Sequence, residues 1–273
     1  MARDCFRSPT FVVGLTFVFL SVSMLTTLRS RAAEQLRDVE IERMTSPEVA
    51  DAIAHGYTTI IIPTGGTEQN GPHMVLGKHN FIVAETARRI ARKLGNALVA
   101  PVMTYAPEGD IATREGHMAY PGTISLPPAV FVSVLENAAA SFRAHGFKTI
   151  VLLGDSGPNQ APQKRVADAL SEAWANDGVR VIQASSYYAD NGSEAWLVAQ
   201  GETKSQIGTH AGIRDTSELM AVYPDGIRKD KLAADEKGVV GDPTRASAER
   251  GEKLLDLKVE AAVRDITAGM ARP

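Results

Sequence analysis

The chain has 273 residues, 44% hydrophobic and 22% charged, an ordinary globular composition that supports one sizeable core. Its net charge of -3 comes without a basic stripe, which argues against a nucleic-acid partner. One cysteine excludes an internal disulfide framework and a thiolate metal cage.

Residues 1–32 are of a different material from the rest. Arg3 and Arg7 form a positive start, and Thr10 to Leu28 is uncharged and mostly apolar. Ser30 and Ala32 place small residues at the −3 and −1 positions for cleavage after Ala32. This predicts a secretory signal peptide, with an uncleaved membrane anchor as the rival. Cys5 precedes the apolar run and so is not a lipoprotein cysteine. Removal of residues 1–32 takes four of the 29 basic residues, one of the 32 acidic ones and the only cysteine. The mature chain then has no thiol to oxidise, which fits a secreted or periplasmic protein. Residues 33–273 are read as a single domain.

Thr45-Ser46-Pro47-Glu48 opens a helix, with Ser46 as N-cap and Pro47 at the first helical position. The β-branched run Thr58 to Ile62 predicts a strand. It ends in a Gly-rich turn that delivers Glu68, Asn70, His73 and His79 within one short polar loop. A helix over 79–94 follows, with Val83, Ala87, Ile90 and Leu94 at helical spacing. Ala97 to Thr104 reads as a second strand, and the loop after it is too long to be a mere connector. Pro127 to His145 is a helix with Val130, Val134, Leu135 and Phe142 on its apolar side. Lys148 to Leu153 is a third strand, Gln160 to Asn176 a helix, and Val179 to Ala184 a fourth strand. The tail from Asp242 to Arg272 is a long charged helix with Leu254, Leu255, Val259, Ala262 and Ile266 on one side. The β-α alternation predicts an α/β fold with a mostly parallel sheet and helices on both faces.

In such a sheet the carboxyl ends of the strands share one rim. Four polar clusters can meet there, holding Glu68, His73, His79, Glu108, Asp110, His117, Asp155, His210, Asp215 and Glu218. Mixed imidazole and carboxylate donors suit Zn, Mn or Fe. Glu108 and Asp110 read as a solvated loop face, and Asp215 as a candidate N-cap for a helix over 217–222.

The clusters also resemble the creatininase (creatinine amidohydrolase) family. GGTEQNGPHMVLGKH at 65–79 is similar to the family's first motif, which reads approximately G-x-T/S-E-Q-H-G-P-H-L-P-L-x-T-D. PGTISL at 121–126, LLGDSGPNQ at 152–160, HAGIRDTS at 210–217 and GVVGDPTRASAERGEKL at 238–254 follow in family order. The resemblance implies a three-layer αβα sandwich, a homo-oligomer, and a one- or two-metal centre that hydrolyses C–N bonds of small amides or lactams.

Residue by residue, Glu68 matches a family metal ligand, and His79 and Asp155 stand at two further ligand positions. His79 replaces a metal-bridging Asp, Asp155 replaces a His, and Asn70 stands at another metal-binding His. The implied set is therefore Glu68, His79 and Asp155 around one divalent metal rather than two. His210 is implied as the proton carrier, and Asp215 stands for the family's glutamate as its catalytic partner. Asn70, His73, His117 and Ser156 are read as substrate contacts. The substitutions at Asn70, His79 and Asp155 leave open a non-catalytic small-molecule binding protein. GDSG at 154–157 raises a serine esterase using Ser156, although a nucleophile elbow would need Gly at Pro158.

Overall fold

The computed structural model describes Met1 and residues 38–271. The predicted signal segment lies outside the described residues. Asp38–Pro273 is one compact unit.

Four parallel strands, β1 (Thr59–Thr64), β2 (Ala97–Val99), β3 (Thr149–Gly154) and β4 (Arg180–Gln183), form a sheet in the order β2-β1-β3-β4. The TIIIPT run of β1 is buried at every position. Unbroken apolar runs of this kind belong to parallel strands covered on both faces. Alternate residues serve opposite faces. Ile61, Val99, Val151 and Leu153 pack against Val83, Ala87 and Ile90 of one helix and Val259, Ala262 and Ile266 of another. Those helices are α2 (Lys78–Leu94) and α8 (Ala248–Ala271). On the opposite face, α3 (Pro128–Ala144) and α4 (Gln160–Ala173) pack on each other and against β3 and β4. α1 (Ser46–Ala54), α5 (Ser193–Ala199), α6 (Lys204–Ile207) and α7 (Ile213–Val222) complete the α-helices among the described residues. This is the expected αβα layering.

Three expectations are corrected in detail. The cap of α1 is Thr45, whose N–H and hydroxyl both bond the Glu48 carboxylate at 2.6 and 2.8 Å. The second strand stops at Val99 instead of Thr104 because the ladder runs out of donors. Pro63 and Pro101 have no N–H, and the neighbouring chain rejoins β1 only where Met103 N–H donates to the Pro63 carbonyl at 2.9 Å. On α3 the inward face carries Phe131, Leu135 and Ala139, while Val130 and Val134 are exposed.

The sheet order places a topological switch at β1 and β3. β1 leads outward to β2, and the chain then returns to the other side of β1 to make β3. Ligands of open α/β sheets bind in the crevice outside the strand ends at such a point. The loop carrying Glu68 leaves β1 there, and Asp155 leaves β3 beside it. Asn159 ties the two exits together, donating to Thr64 Oγ1 at 2.9 Å and to the Gly65 carbonyl at 2.7 Å.

α7 and α8 cross closely at Gly251, where a Cβ would lie 1.9 Å from the Ser217 carbonyl oxygen. Gly→Ala inside a helix ordinarily gains about 1 kcal/mol. G251A is expected to reverse that sign and cost about 1–3 kcal/mol through overpacking, read as a lowered denaturation midpoint.

Candidate active site

The turn after β1 needs glycine at two successive positions. A Cβ at Gly65 would lie 2.1 Å from Asn80 Oδ1, and one at Gly66 would lie 2.0 Å from Glu108 Oε1. Asn80 Oδ1 accepts the Gly66 N–H at 3.0 Å, so the first turn of α2 clamps the loop. Glu68 is thereby carried to the floor of a cavity of ≈ 280 Å³ at the carboxyl rim.

Glu68 is the hub of the site. Its Oε1 lies 2.9 Å from His79 Nε2, 3.4 Å from Lys78 Nζ and 3.7 Å from His210 Nδ1. Its Oε2 accepts from His117 Nε2 at 3.0 Å. Burial opposes a charge on Glu68, but Lys78, His79 and His117 outweigh it and hold the carboxyl far below the ordinary carboxylate range.

His79 bridges two carboxylates. Its Nδ1 reaches Asp155 Oδ2 at 2.7 Å while its Nε2 faces Glu68. Burial and the Lys78 ammonium work against a charged ring, yet Glu68 and Asp155 prevail, and its pKa is raised to about 9. In the metal-free protein both ring nitrogens therefore donate, and His79 is engaged by a carboxylate on each side. Asp155 is equally committed. Its Oδ1 accepts from Lys258 Nζ at 2.5 Å and from the Tyr187 hydroxyl at 2.7 Å. Of the expected ligands Glu68, His79 and Asp155, the structure leaves Glu68 facing a metal-competent cluster and makes the other two its hydrogen-bonded support.

The cluster that fits a cation is Glu68, His117 and His210, whose ligand atoms lie within 4.8 Å of one another. His210 Nε2 lies 2.9 Å from the Gln69 carbonyl and 3.2 Å from Gln69 Nε2; when it donates to the carbonyl, its Nδ1 lone pair faces Glu68 Oε1. Burial, reinforced by Lys78, pushes the His210 pKa down to about 4, so the ring is neutral at pH 7. Burial lowers the His117 pKa as well. Neutral imidazoles oriented through their far nitrogen are the form that ligates metals. Ala211, next in the chain, is held at a φ of 54, a left-handed conformation that a non-glycine residue adopts at a cost.

The remaining expected residues divide. Asp215 lines the cavity, with Oδ2 accepting from Lys78 Nζ at 2.7 Å and from the Ala211 N–H at 2.8 Å. It lies inside α7, which begins at Ile213, and so does not cap a later helix. Ser156 lines the cavity, but among the described residues no histidine bonds its hydroxyl, so it lacks a general base. Asn70 and His73 are corrected. Asn70 is fully buried and its Nδ2 donates to the carbonyls of Glu68 and Val75 at 2.9 and 3.1 Å, knitting the loop. His73 is fully buried and pairs with Thr216 Oγ1 at 3.1 Å, joining that loop to α7.

Glu108 is corrected in the other direction. The loop over 105–117 folds back on itself, with Glu108 N–H on Ser125 Oγ at 3.0 Å and the Ser125 hydroxyl on the Gly109 carbonyl at 2.7 Å. This buries Glu108 beside Glu68. Desolvation first, and the Glu68 charge second, raise its pKa to about 9. Asp110, two residues on, is exposed as expected.

Lys78 and Lys258 join the site without being among the residues the sequence motifs single out. Lys258 had a signal: it lies four residues after Leu254 and four before Ala262, on the apolar stripe of α8. It pairs with Asp155 and, at 2.9 Å, with Glu218 Oε2. Breaking a buried ion pair from one side leaves an uncompensated charge, so K258M is expected to cost about 3–5 kcal/mol in chemical denaturation. Burial opposes the Asp155 charge, but Lys258 and His79 hold its pKa below the ordinary value. Its contribution is therefore complete above the unfolded Asp pKa of about 4 and lost as pH falls through the lower folded value. D155N should flatten that acid limb of the stability curve.

Residues 42–266 match the sequence profile described as "Creatininase: Creatinine amidohydrolase". A mycofactocin precursor peptide peptidase of Mycolicibacterium smegmatis is 26% identical over 222 residues, covering 72% of this chain and 79% of the relative. A creatinine amidohydrolase of Pseudomonas putida is 23% identical over 249 residues, covering 82% and 94%. Among solved structures, a crystal structure of creatinine amidohydrolase superposes with a TM-score of 0.71 at 23% identity, over 87% of this chain and 100% of the other. A structure described as "Creatininase Mn" gives 0.71 at 23% identity, over 86% and 100%. With the profile spanning most of its length, the chain belongs to the creatininase family of amidohydrolases.

Proposed function

We propose that this protein hydrolyses a C–N bond of a small amide or lactam, using one divalent cation held by Glu68, His117 and His210. The observation that carries the reading is the approach of His210 Nδ1 to Glu68 Oε1 at 3.7 Å. With Nε2 donating to Gln69, His210 Nδ1 and Glu68 Oε1 both offer lone pairs across that gap, which a cation would fit. For His117 to ligate through Nε2, its proton would move to Nδ1, with the Gln69 amide turning its oxygen to accept it. A divalent ion there would supply Lewis-acid chemistry, acidifying a water and polarising an amide carbonyl.

The chain's own residues have distinct parts in this reading. His210 is a ligand rather than a proton carrier, because its Nε2 proton is committed to Gln69. His79 fixes the Glu68 carboxylate and, through Asp155, anchors it to α8. Asp215 positions Lys78, whose ammonium lines the cavity and can donate to the oxyanion that develops on the substrate carbonyl. Ser156 offers the substrate a hydroxyl. A single cation is favoured because Lys78 and His79 already bring positive charge to Glu68, the charge that a second ion would supply. The named activities of the relatives, on a cyclic amide in one case and a precursor peptide in the other, support C–N hydrolysis without choosing a substrate.

Metal analysis after loading and exhaustive dialysis should find about one equivalent in wild type and S156A, and none in H117A or H210A. Chelation should stop turnover on a panel of small amides and lactams. Retention of metal by both histidine variants would discard this ligand set. Absence of metal under every loading condition, together with absence of turnover, would discard the hydrolase.

We also propose that residues 1–32 direct export and that the mature protein acts outside the cytoplasm as a homo-oligomer on a small molecule. Support comes from the charged start, the apolar run, the Ser30–Ala32 cleavage pattern and the lack of cysteine beyond it. The amino terminus of protein recovered from the periplasm should be Ala33. Full-length protein in the membrane fraction would instead identify an uncleaved anchor.

A further inference from the structure

Four cationic side chains line the cavity besides the neutral imidazoles: Lys78, His79, Lys258 and Arg214. The first three are each shared between two carboxylates, Lys78 by Glu68 and Asp215, His79 by Glu68 and Asp155, and Lys258 by Asp155 and Glu218. Arg214 is different. Among the described residues its guanidinium has no hydrogen bond, and its nearest carboxylate oxygen is Asp215 Oδ1 at 3.9 Å. That carboxylate already serves Lys78 and the Ala211 N–H through its other oxygen.

The position is costly without a partner. The Arg214 side chain is 28% exposed, so most of its hydration is lost. It also sits at the second residue of α7, where the positive end of the helix dipole disfavours a cation. Five N–H donors are therefore held in a cavity wall with no hydrogen-bond acceptor among the described residues.

The wall around Arg214 carries further free donors. Tyr188 is an electrostatic neighbour of Arg214, and both line the cavity. Gly157 lies against the Tyr188 ring, where an added Cβ would come within 3.0 Å of the phenol oxygen. Among the described residues neither the Tyr188 hydroxyl nor the Ser156 hydroxyl has a hydrogen bond, and Ser156 adjoins Gly157. The charges acting on Arg214 are those of Asp215, Glu218, Tyr188 and Asp155. Those acting on His117 are Glu68, Lys78 and His79. Arg214 lines the same cavity as His117 and His210, and Asp215 acts on both Arg214 and His210.

We propose that Arg214, with the Tyr188 and Ser156 hydroxyls, forms a subsite for a carboxylate, and that the substrate is an amide or lactam bearing one. The substrate class rests on the hydrolase reading above, while the carboxylate subsite does not. A planar guanidinium presents paired N–H groups that match a carboxylate bidentately, a geometry that lysine cannot supply. Such an anchor would hold the substrate at one end and leave its C–N bond for the cluster at the other.

The test is calorimetric titration of metal-loaded and metal-free protein with acetate, succinate and N-acetylglycine, using N-acetylglycinamide as the neutral match to the last. At least one carboxylate should bind wild type in both forms, and more tightly than the neutral amide. R214Q should weaken it about 10- to 100-fold, with R214K falling between, and neither change should alter the weak binding of the amide. An unchanged thermal midpoint in R214Q and R214K establishes that both variants are folded, and R214K alone decides the matter if R214Q is not. Carboxylate affinity that is unaffected by R214Q and R214K, or absent in wild type, overturns the subsite. Arg214-dependent binding in a protein that holds no metal and turns over nothing would sustain the subsite and remove the hydrolase. Turnover of neutral amides, undisturbed in R214Q and without carboxylate binding, would do the reverse.

Discussion

The site depends on keeping Glu68 charged inside the protein. A carboxylate buried at 2% exposure is untenable alone, and Lys78 and His79 make it tenable. Each of these is held from behind, Lys78 by Asp215 and His79 by Asp155, and Asp155 is held in turn by Lys258 and Tyr187. The result is an alternating chain of charges running from the cavity floor into the core of the α2–α8 face. Removing any member exposes the next, so the chemistry of the site and the stability of the fold share one network.

This network explains why the polar loops take the positions they do. The switch point brings the exits of β1 and β3 together, α2 begins with Lys78 and His79 immediately under them, and α8 delivers Lys258 from the far end of the chain. Glu108 is folded in by its own loop and, with a pKa of about 9, adds a carboxyl without adding a charge. The neutral imidazoles of His117 and His210 are left facing the cavity, and Gln69 orients both, His210 through its carbonyl and His117 through its side-chain amide at 3.1 Å.

The departures from the family pattern acquire a physical meaning here. Asn70 stands where the resemblance implies a metal-binding histidine, and its amide is spent on loop carbonyls. His79 stands where it implies a bridging aspartate, and as an imidazolium it attracts carboxylates instead of a metal. A carboxylate-to-imidazolium exchange reverses the sign of the charge at that point, and Lys78 beside it adds another positive charge. The proposed single cation at Glu68, His117 and His210 is the arrangement compatible with those two charges.

The sequence by itself determined the layered α/β architecture, because the buried run of β1, the helical spacing of α2 and the β-α alternation are local patterns with few competing solutions. It also singled out Glu68 and the rim on which it sits, through the Gly65-Gly66 turn and the motif around it. It did not separate ligands from supports. His79 and Asp155 look like ligands in one dimension, and only their mutual distance of 2.7 Å shows that they satisfy each other. His73 and Glu108 differ from their sequence reading for the same reason, since their partners Thr216 and Ser125 lie outside any local pattern, whereas Asn70 is spent on carbonyls of its own loop. Lys258 was legible as a charge on an apolar stripe, but its partner lies 103 residues away in the chain. Tertiary structure decided which charged groups neutralise one another, and thereby which were left facing the cavity.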